Sequence, residues 1–310
     1  MTMADDIALL DVTKTFRGTW FREKTAVRNL TLTVPGGEVV GLLGPNGSGK
    51  STTLKMVVGF LKPTAGNVLL FGEPADRPSA RQRLGYLPEN PRFQRFMTGR
   101  AQLHYLGALH GLSAAERARR ADELMTLVDL RDAADERVGG YSKGMTQRLA
   151  VAQALAAKPD LLILDEPMSG LDPIGRLEVR GLIARIHRET PRTTIFFSSH
   201  VLSDVESLCS YVVLLRGGAL LRSCSMSELL GEQPSEYEVQ INRQHDTNFP
   251  ADLAQWSPRP SARGTLLVAS DAPGLTQLLA AVGKTGDAIL NVQSRRRTLE
   301  DTLFRDRGAA

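Results

Sequence analysis

Apolar positions along the first seventy residues come in short bursts rather than helical stripes. "IALLDVTKTF" (7–16) and "RNLTLTV" (28–34) set apolar against polar positions in the manner of half-buried strands. "PGGE" is a turn and "VVGLLG" (39–44) a short, wholly apolar strand that needs cover on both faces. "KSTTLKMVVGFL" (50–61) predicts a helix and "GNVLLFG" (66–72) another strand. From about Pro88 to Gln153 the pattern turns helical. Thr98 is placed to cap "GRAQLHYLGALHG", and Ser113 to Glu116 form a capping box that opens "RARRADELMTLVDL". Strands return as "LLILD" (161–165), "TTIFFSS" (193–199) and "YVVLLR" (211–216), with the helix "IGRLEVRGLIARIHRET" (174–190) among them. This alternation predicts an α/β fold with a mostly parallel sheet and a helical insertion.

A polar stretch, "GEQPSEYEV", places a domain boundary near residue 232. Residues 1–231 make the first domain, with its helical subdomain at about 88–153. Residues 232–310 make a small α+β accessory domain, with strands "YEVQINR", "TLLVAS" and "AILNVQSR" and helices "GLTQLLAAVGKT" and "TLEDTLFRDRG". The length of 310 residues fits two domains. A net charge of +4 does not by itself point to nucleic acid, and two cysteines make no disulfide framework. The opening "MTMADDIALL" is acidic where a secretion signal is basic, and no apolar run approaches the ~20 residues that span a bilayer.

The chemistry centres on "GPNGSGKST", Gly44, Pro45, Asn46, Gly47, Ser48, Gly49, Lys50, Ser51 and Thr52, which fits the phosphate-loop pattern and lies between a strand and a helix as that pattern requires. Its backbone N–H groups would face a polyphosphate, Lys50 would reach the β- and γ-phosphates, and Ser51 would offer a hydroxyl to Mg²⁺. "LLILDEP" ends a buried strand on Asp165, a candidate Mg²⁺ ligand, and Glu166, a candidate general base. His200 closes another strand, as either a structural residue or a donor to the γ-phosphate. Asp172 in "SGLD" either reaches across an interface or begins a helix at Pro173. A second phosphate grip, Ser142 and Gly144 in "YSKGM", opens a helix ninety-odd residues after the first. One chain with two grips suggests that the second serves the nucleotide of another copy, making ATP the glue of a head-to-tail homodimer.

These motifs, in this order over residues 5–230, resemble the ATP-binding-cassette (ABC) ATPases, the motor subunits of ABC transporters. The resemblance implies a P-loop NTPase cassette with a RecA-like core, an antiparallel β part and a helical insertion. It implies ATP and Mg²⁺ as ligands, a homodimer formed on ATP binding, separate transmembrane permease subunits as partners, and a peripheral place on the cytoplasmic face of the cell membrane. No nucleic-acid partner is expected. It assigns the signature to Tyr141–Met145, the D-loop to Ser169–Asp172 and the switch histidine to His200. Adenine stacking falls to Phe16, with Trp20 and Phe21 as neighbouring alternatives.

Two positions depart from the family's usual pattern. Glu89, in "LGYLPENP", stands where a Gln normally touches Mg²⁺ and the attacking water; it either takes over those contacts or is a displaced loop acid. Lys143 and Met145 replace Gly and Gln in the signature. Both forms, and the tail "RTLEDTLF", resemble the exporter branch whose permeases are of the ABC-2 type. Competing expectations are a soluble ABC ATPase acting on a nucleic-acid or ribosomal partner and an importer ATPase with a regulatory C-terminal domain. Nine arginines against two glutamates between Arg77 and Arg120 read either as a solvated face or as a surface for a permease helix and anionic lipid.

Overall fold

The computed structural model describes residues 5–17, 23–230, 236–244 and 249–295. Trp20, Phe21 and the tail "RTLEDTLF" lie outside the described residues. The chain divides into two compact units, Met1–Ser225 and Met226–Ala310. The first unit runs β1 (Asp5–Arg17), β2 (Glu23–Pro35), β3 (Val39–Leu43), α1 (Lys50–Val57), β4 (Ala65–Leu70), β5 (Glu73–Pro74), α2 (Pro78–Gln82) and β6 (Leu84–Leu87). It continues with α3 (Gly99–Leu109), α4 (Ala114–Leu127), α5 (Lys143–Ala154), β7 (Leu161–Leu164), α6 (Pro173–Glu189), β8 (Thr194–Ser199), α7 (Leu202–Leu208), β9 (Tyr211–Arg216) and β10 (Ala219–Ser225). The second holds α8 (Met226–Leu230), β11 (Glu236–Ile241), α9 (Ala251–Ala254), β12 (Arg259–Ser261), β13 (Gly264–Ala269), α10 (Ala272–Thr285) and β14 (Ile289–Arg295).

Two sheets build the first unit. Strands β2-β1-β4-β5 form an antiparallel sheet. Strands β10-β9-β3-β8-β7-β6 form the second, parallel except for β10. The residues of β3, β7 and β8 are buried throughout, which is why these strands read as unbroken apolar runs rather than alternating ones. In β2 the alternation is kept: Leu30, Leu32 and Val34 are buried between exposed neighbours. Ile7, Leu9 and Val12 of β1, Leu54 and Met56 of α1, Ile163 of β7 and Phe196 of β8 join one core, so α1 is packed between the two sheets. The second unit has its own sheet, β12-β13-β11-β14, and its own core of Val239, Ile241, Leu267, Leu278 and Val282.

Several expectations need adjustment. Leu84–Leu87 is an edge strand of the parallel sheet, where no strand was expected; four residues are too few for a periodic signal. Residues 88–98 form no helix, and the insertion starts at Gly99, N-capped by Thr98, whose Oγ1 accepts from the Ala101 N–H. The capping box at Ser113 and Glu116 is formed in full. Helix α1 stops at Val57, four residues short of the apolar stretch that suggested it.

The parallel sheet sets the site, because β3, β7 and β8 end side by side and their carboxyl ends carry the phosphate loop, the acid pair and His200. Behind His200, α7 is pinned to α6: Asp204, 1% exposed, accepts from Arg176 Nη2 at 2.6 Å and Arg180 Nη2 at 3.2 Å. Both arginines are about 30% exposed, so the desolvation cost falls mainly on the carboxylate. Replacing Asp204 by Ala leaves two half-buried guanidiniums without a counter-charge. It should cost about 2–3 kcal/mol of unfolding free energy in urea titrations, below the full buried-pair value because water reaches the arginines; no loss would show that the pair does not hold α7.

Candidate nucleotide site

The loop between β3 and α1 is built to present backbone amides. Gly49 precedes the helix at φ 102°, a conformation that side chains with a Cβ rarely adopt. Helix α1 then points the N–H groups of its first turn into a cleft of ≈ 610 Å³. Asn46, Gly47, Gly49, Lys50, Ser51 and Thr52 line it from the loop, and Phe16, Glu89, Glu166, Ser169 and His200 from the surrounding segments. Gly44 and Pro45 contribute their carbonyls: Lys50 Nζ donates to Gly44 O at 2.8 Å and to Pro45 O at 3.4 Å. Ser48 is buried beneath the loop, its Oγ without a protein partner.

The acid pair follows β7. Asp165 is 1% exposed and accepts from Ser51 Oγ at 3.1 Å and Ser198 Oγ at 2.7 Å. No ion pair to it exists among the described residues, only these hydroxyls. Burial lifts its pKa above the ordinary carboxylate value; the two hydroxyls oppose the rise and the charge of Glu166 adds to it. Glu166 turns the other way. Its Oε1 lies 3.4 Å from Lys50 Nζ and its Oε2 2.9 Å from His200 Nδ1. Its backbone sits at φ 49°, strained for a residue with a Cβ, and is held there by the Glu166 N–H bond to Ser198 Oγ at 2.8 Å.

The remaining expected residues divide into two groups. Glu89 lies on the cleft wall, and its charge adds to the burial and the Asp165 charge that push the Tyr86 phenol up to about 12. Phe16, 38% exposed at the end of β1, presents a ring to the cleft, with Lys14 Nζ 5.3 Å from its centroid. Ser142 and Gly144 do not line this cleft: Ser142 caps α5 by accepting from the Met145 N–H at 3.2 Å. Asp172 caps α6 by accepting from the Gly175 N–H at 2.7 Å. Reading the sequence missed Ser198, which holds both acids in place; its only signal was its position inside "FFSSH". Lys24, Thr25, Ala26 and Gly217 also line the cleft and carried no motif signal. Of the arginine group, Arg83 pairs with Asp160, Arg100 with Asp122 and Asp135, and Arg119 and Arg120 with Glu123.

The family model described as ABC transporter matches residues 27–169. An ABC transporter ATP-binding protein of Nostoc sp. is 39% identical over 297 residues, which is 94% of this chain and 86% of that protein. The chain belongs to the ABC transporter ATP-binding proteins. Bacitracin transport ATP-binding protein BcrA of Bacillus licheniformis is 36% identical over 245 residues, 78% of this chain and 77% of that protein. A dimeric ATP-binding cassette in a post-hydrolysis state, bound to ADP and Pi, matches with a TM-score of 0.64 at 25% identity, over 71% of this chain and 98% of that one. This ABC ATPase therefore has the P-loop NTPase fold, binds ATP and is an ATP-hydrolysing transporter subunit.

The environment of Asp165 gives a test of its own. Its folded-state pKa is raised, so folding favours the protonated carboxyl, and this contribution is present in acid and lost as pH rises through the folded pKa. With no nucleotide or metal added, Asp165→Asn should melt above wild type at pH 7, with the gap closing as the pH falls below 4; a mutant that melts below wild type at pH 7 would show that the carboxylate stabilises the free protein.

Proposed function

We propose that this ABC ATPase is the motor of an export complex. Two copies close head-to-tail on ATP and drive separate permease subunits at the cytoplasmic face of the membrane. The observation that carries the reading is the carboxylate of Glu166, held between Lys50 and His200 on the wall of the cleft. With ATP bound, Lys50 turns from its loop carbonyls and Glu166 to the β- and γ-phosphates. Glu166 is then left with His200, free to orient and deprotonate a water at the γ-phosphate, while His200 donates to the phosphate oxygens.

Mg²⁺ suits the donor set here. Ser51 and Asp165 present a hydroxyl and a carboxylate in mutual contact, both hard oxygen donors, and the buried carboxylate makes no ion pair among the described residues. When bound, the ion would neutralise charge on the β- and γ-phosphates. Glu89 stands on the same wall, where the family's Gln would meet the metal and the water. The placement of Ser142 and Gly144 outside their own chain's cleft supports their use on the nucleotide of a second copy, with Asp172 of the D-loop at that junction. Export is favoured by the similarity to a Nod factor export ATP-binding protein of Burkholderia lata, 37% identical over 240 residues, and by the Glu89 and Lys143 forms of the two loops. No helix among the described residues is long and apolar enough to cross a membrane.

Two variants test this. Glu166→Gln should bind ATP, accumulate as a dimer by gel filtration and lose about 10²–10⁴-fold in turnover; turnover at the wild-type rate would remove Glu166 as the base. Ser142→Arg should leave nucleotide affinity of the monomer intact and abolish ATP-driven dimers. Dimers that persist in that variant would overturn the trans contact.

A further inference from the structure

Lys143 stands where its helix does not want it. It is the first residue of α5, directly after the cap Ser142, and the first turn of that helix has no acidic residue. A cation there opposes the helix dipole. Such a local conflict calls for a compensating contact, and the contact is specific: Lys143 Nζ donates to Gly170 O at 2.8 Å. Gly170 is fitted to this contact. It sits at φ 65°, and a Cβ built there would land on the lysine ammonium. Gly170 also belongs to the D-loop, and the residue before it is bonded to the base: Ser169 N–H donates to Glu166 O at 3.0 Å. An unbroken path therefore runs within one chain from Ser142 through Lys143, Gly170 and Ser169 to Glu166.

We propose that Lys143 is a positioning residue that ties the signature loop to the D-loop of its own chain, and so reports the partner's nucleotide, gripped by Ser142 and Gly144, to this chain's own Glu166. The inference rests on the trans use of Ser142 and Gly144 proposed above. The flanking contacts are consistent with it: α5 and α6 are joined further along by Arg148 and Glu178 at 3.7 Å, and Arg185 of α6 pairs with Asp129 at 3.2 Å. These fix the bodies of the helices, while Lys143 is the tie at the end that meets the second copy.

The test is steady-state ATPase activity of the full chain against ATP concentration, with single-site nucleotide affinity and melting temperature measured alongside. Lys143→Met should lower kcat about ten-fold and bring the Hill coefficient towards about 1, with nucleotide affinity and melting temperature unchanged. Lys143→Arg, which can still donate to the Gly170 carbonyl, should restore most of the loss. Gly170→Ala should reproduce the Lys143→Met defect and add little to it in the double variant. A kcat within two-fold of wild type, an Arg variant as poor as Met, or full additivity with Gly170→Ala would each overturn the role of Lys143 while leaving the dimer reading intact. Failure of Glu166→Gln to dimerise with ATP would remove the dimer reading, and this inference with it.

Discussion

Two adjacent carboxylates at the end of a buried strand impose the constraint around which the nucleotide site is arranged. Burying one unpaired charge is costly, and burying two in sequence adds their repulsion. The strand geometry sends the two side chains apart, and each meets a different solution. Asp165 faces hydroxyls, Ser51 from the phosphate loop and Ser198 from β8, and burial raises its pKa although both hydroxyls oppose the rise. Glu166 faces Lys50 and His200. The strained backbone at Glu166 is what lets the second carboxylate leave the environment of the first, and the Ser198 hydroxyl holds that strain by bonding both the Glu166 N–H and Asp165.

The same constraint reaches the phosphate loop through Lys50. Lys50 is 5% exposed, and its ammonium is satisfied by two loop carbonyls and by Glu166. On the function proposed above, these partners would be exchanged for phosphate oxygens at a loop whose glycines already hold the start of α1 towards the cleft.

The parts of this arrangement legible in the sequence are those whose physics is local. The phosphate loop is a contiguous run whose glycines and lysine act within nine residues, and the acid pair ends a strand whose burial shows as an unbroken apolar run. The capping box at Ser113 and the cap at Thr98 are likewise local and could be read directly. What escaped reading depends on distant pairing. Ser198 matters because β8 lies beside β7, a fact of sheet order that "FFSSH" does not carry. Strand β6 exists because β7 offers it an edge, and its four residues hold too little pattern to announce it. Lys143 looked like a mere departure from a motif, because its partner carbonyl lies 27 residues on.

Helix α6 draws these long-range contacts together. On one side Arg176 and Arg180 take the buried carboxylate of Asp204, just beyond His200. On another, Glu178 and Arg185 meet Arg148 and Asp129 at the foot of the helical insertion. At its start Asp172 caps it, directly after the D-loop whose Gly170 carbonyl receives Lys143. The helical insertion, the D-loop and the His200 segment are thus all fastened to one rigid rod of 17 residues. Side-chain ties of this kind are discrete, so on the coupling proposed above a push on the signature loop would be passed on as a shift of partners rather than as gradual bending. The insertion, although it comes from a different part of the chain, is in this way linked by hydrogen bonds through Gly170 and Ser169 to Glu166, the base proposed above.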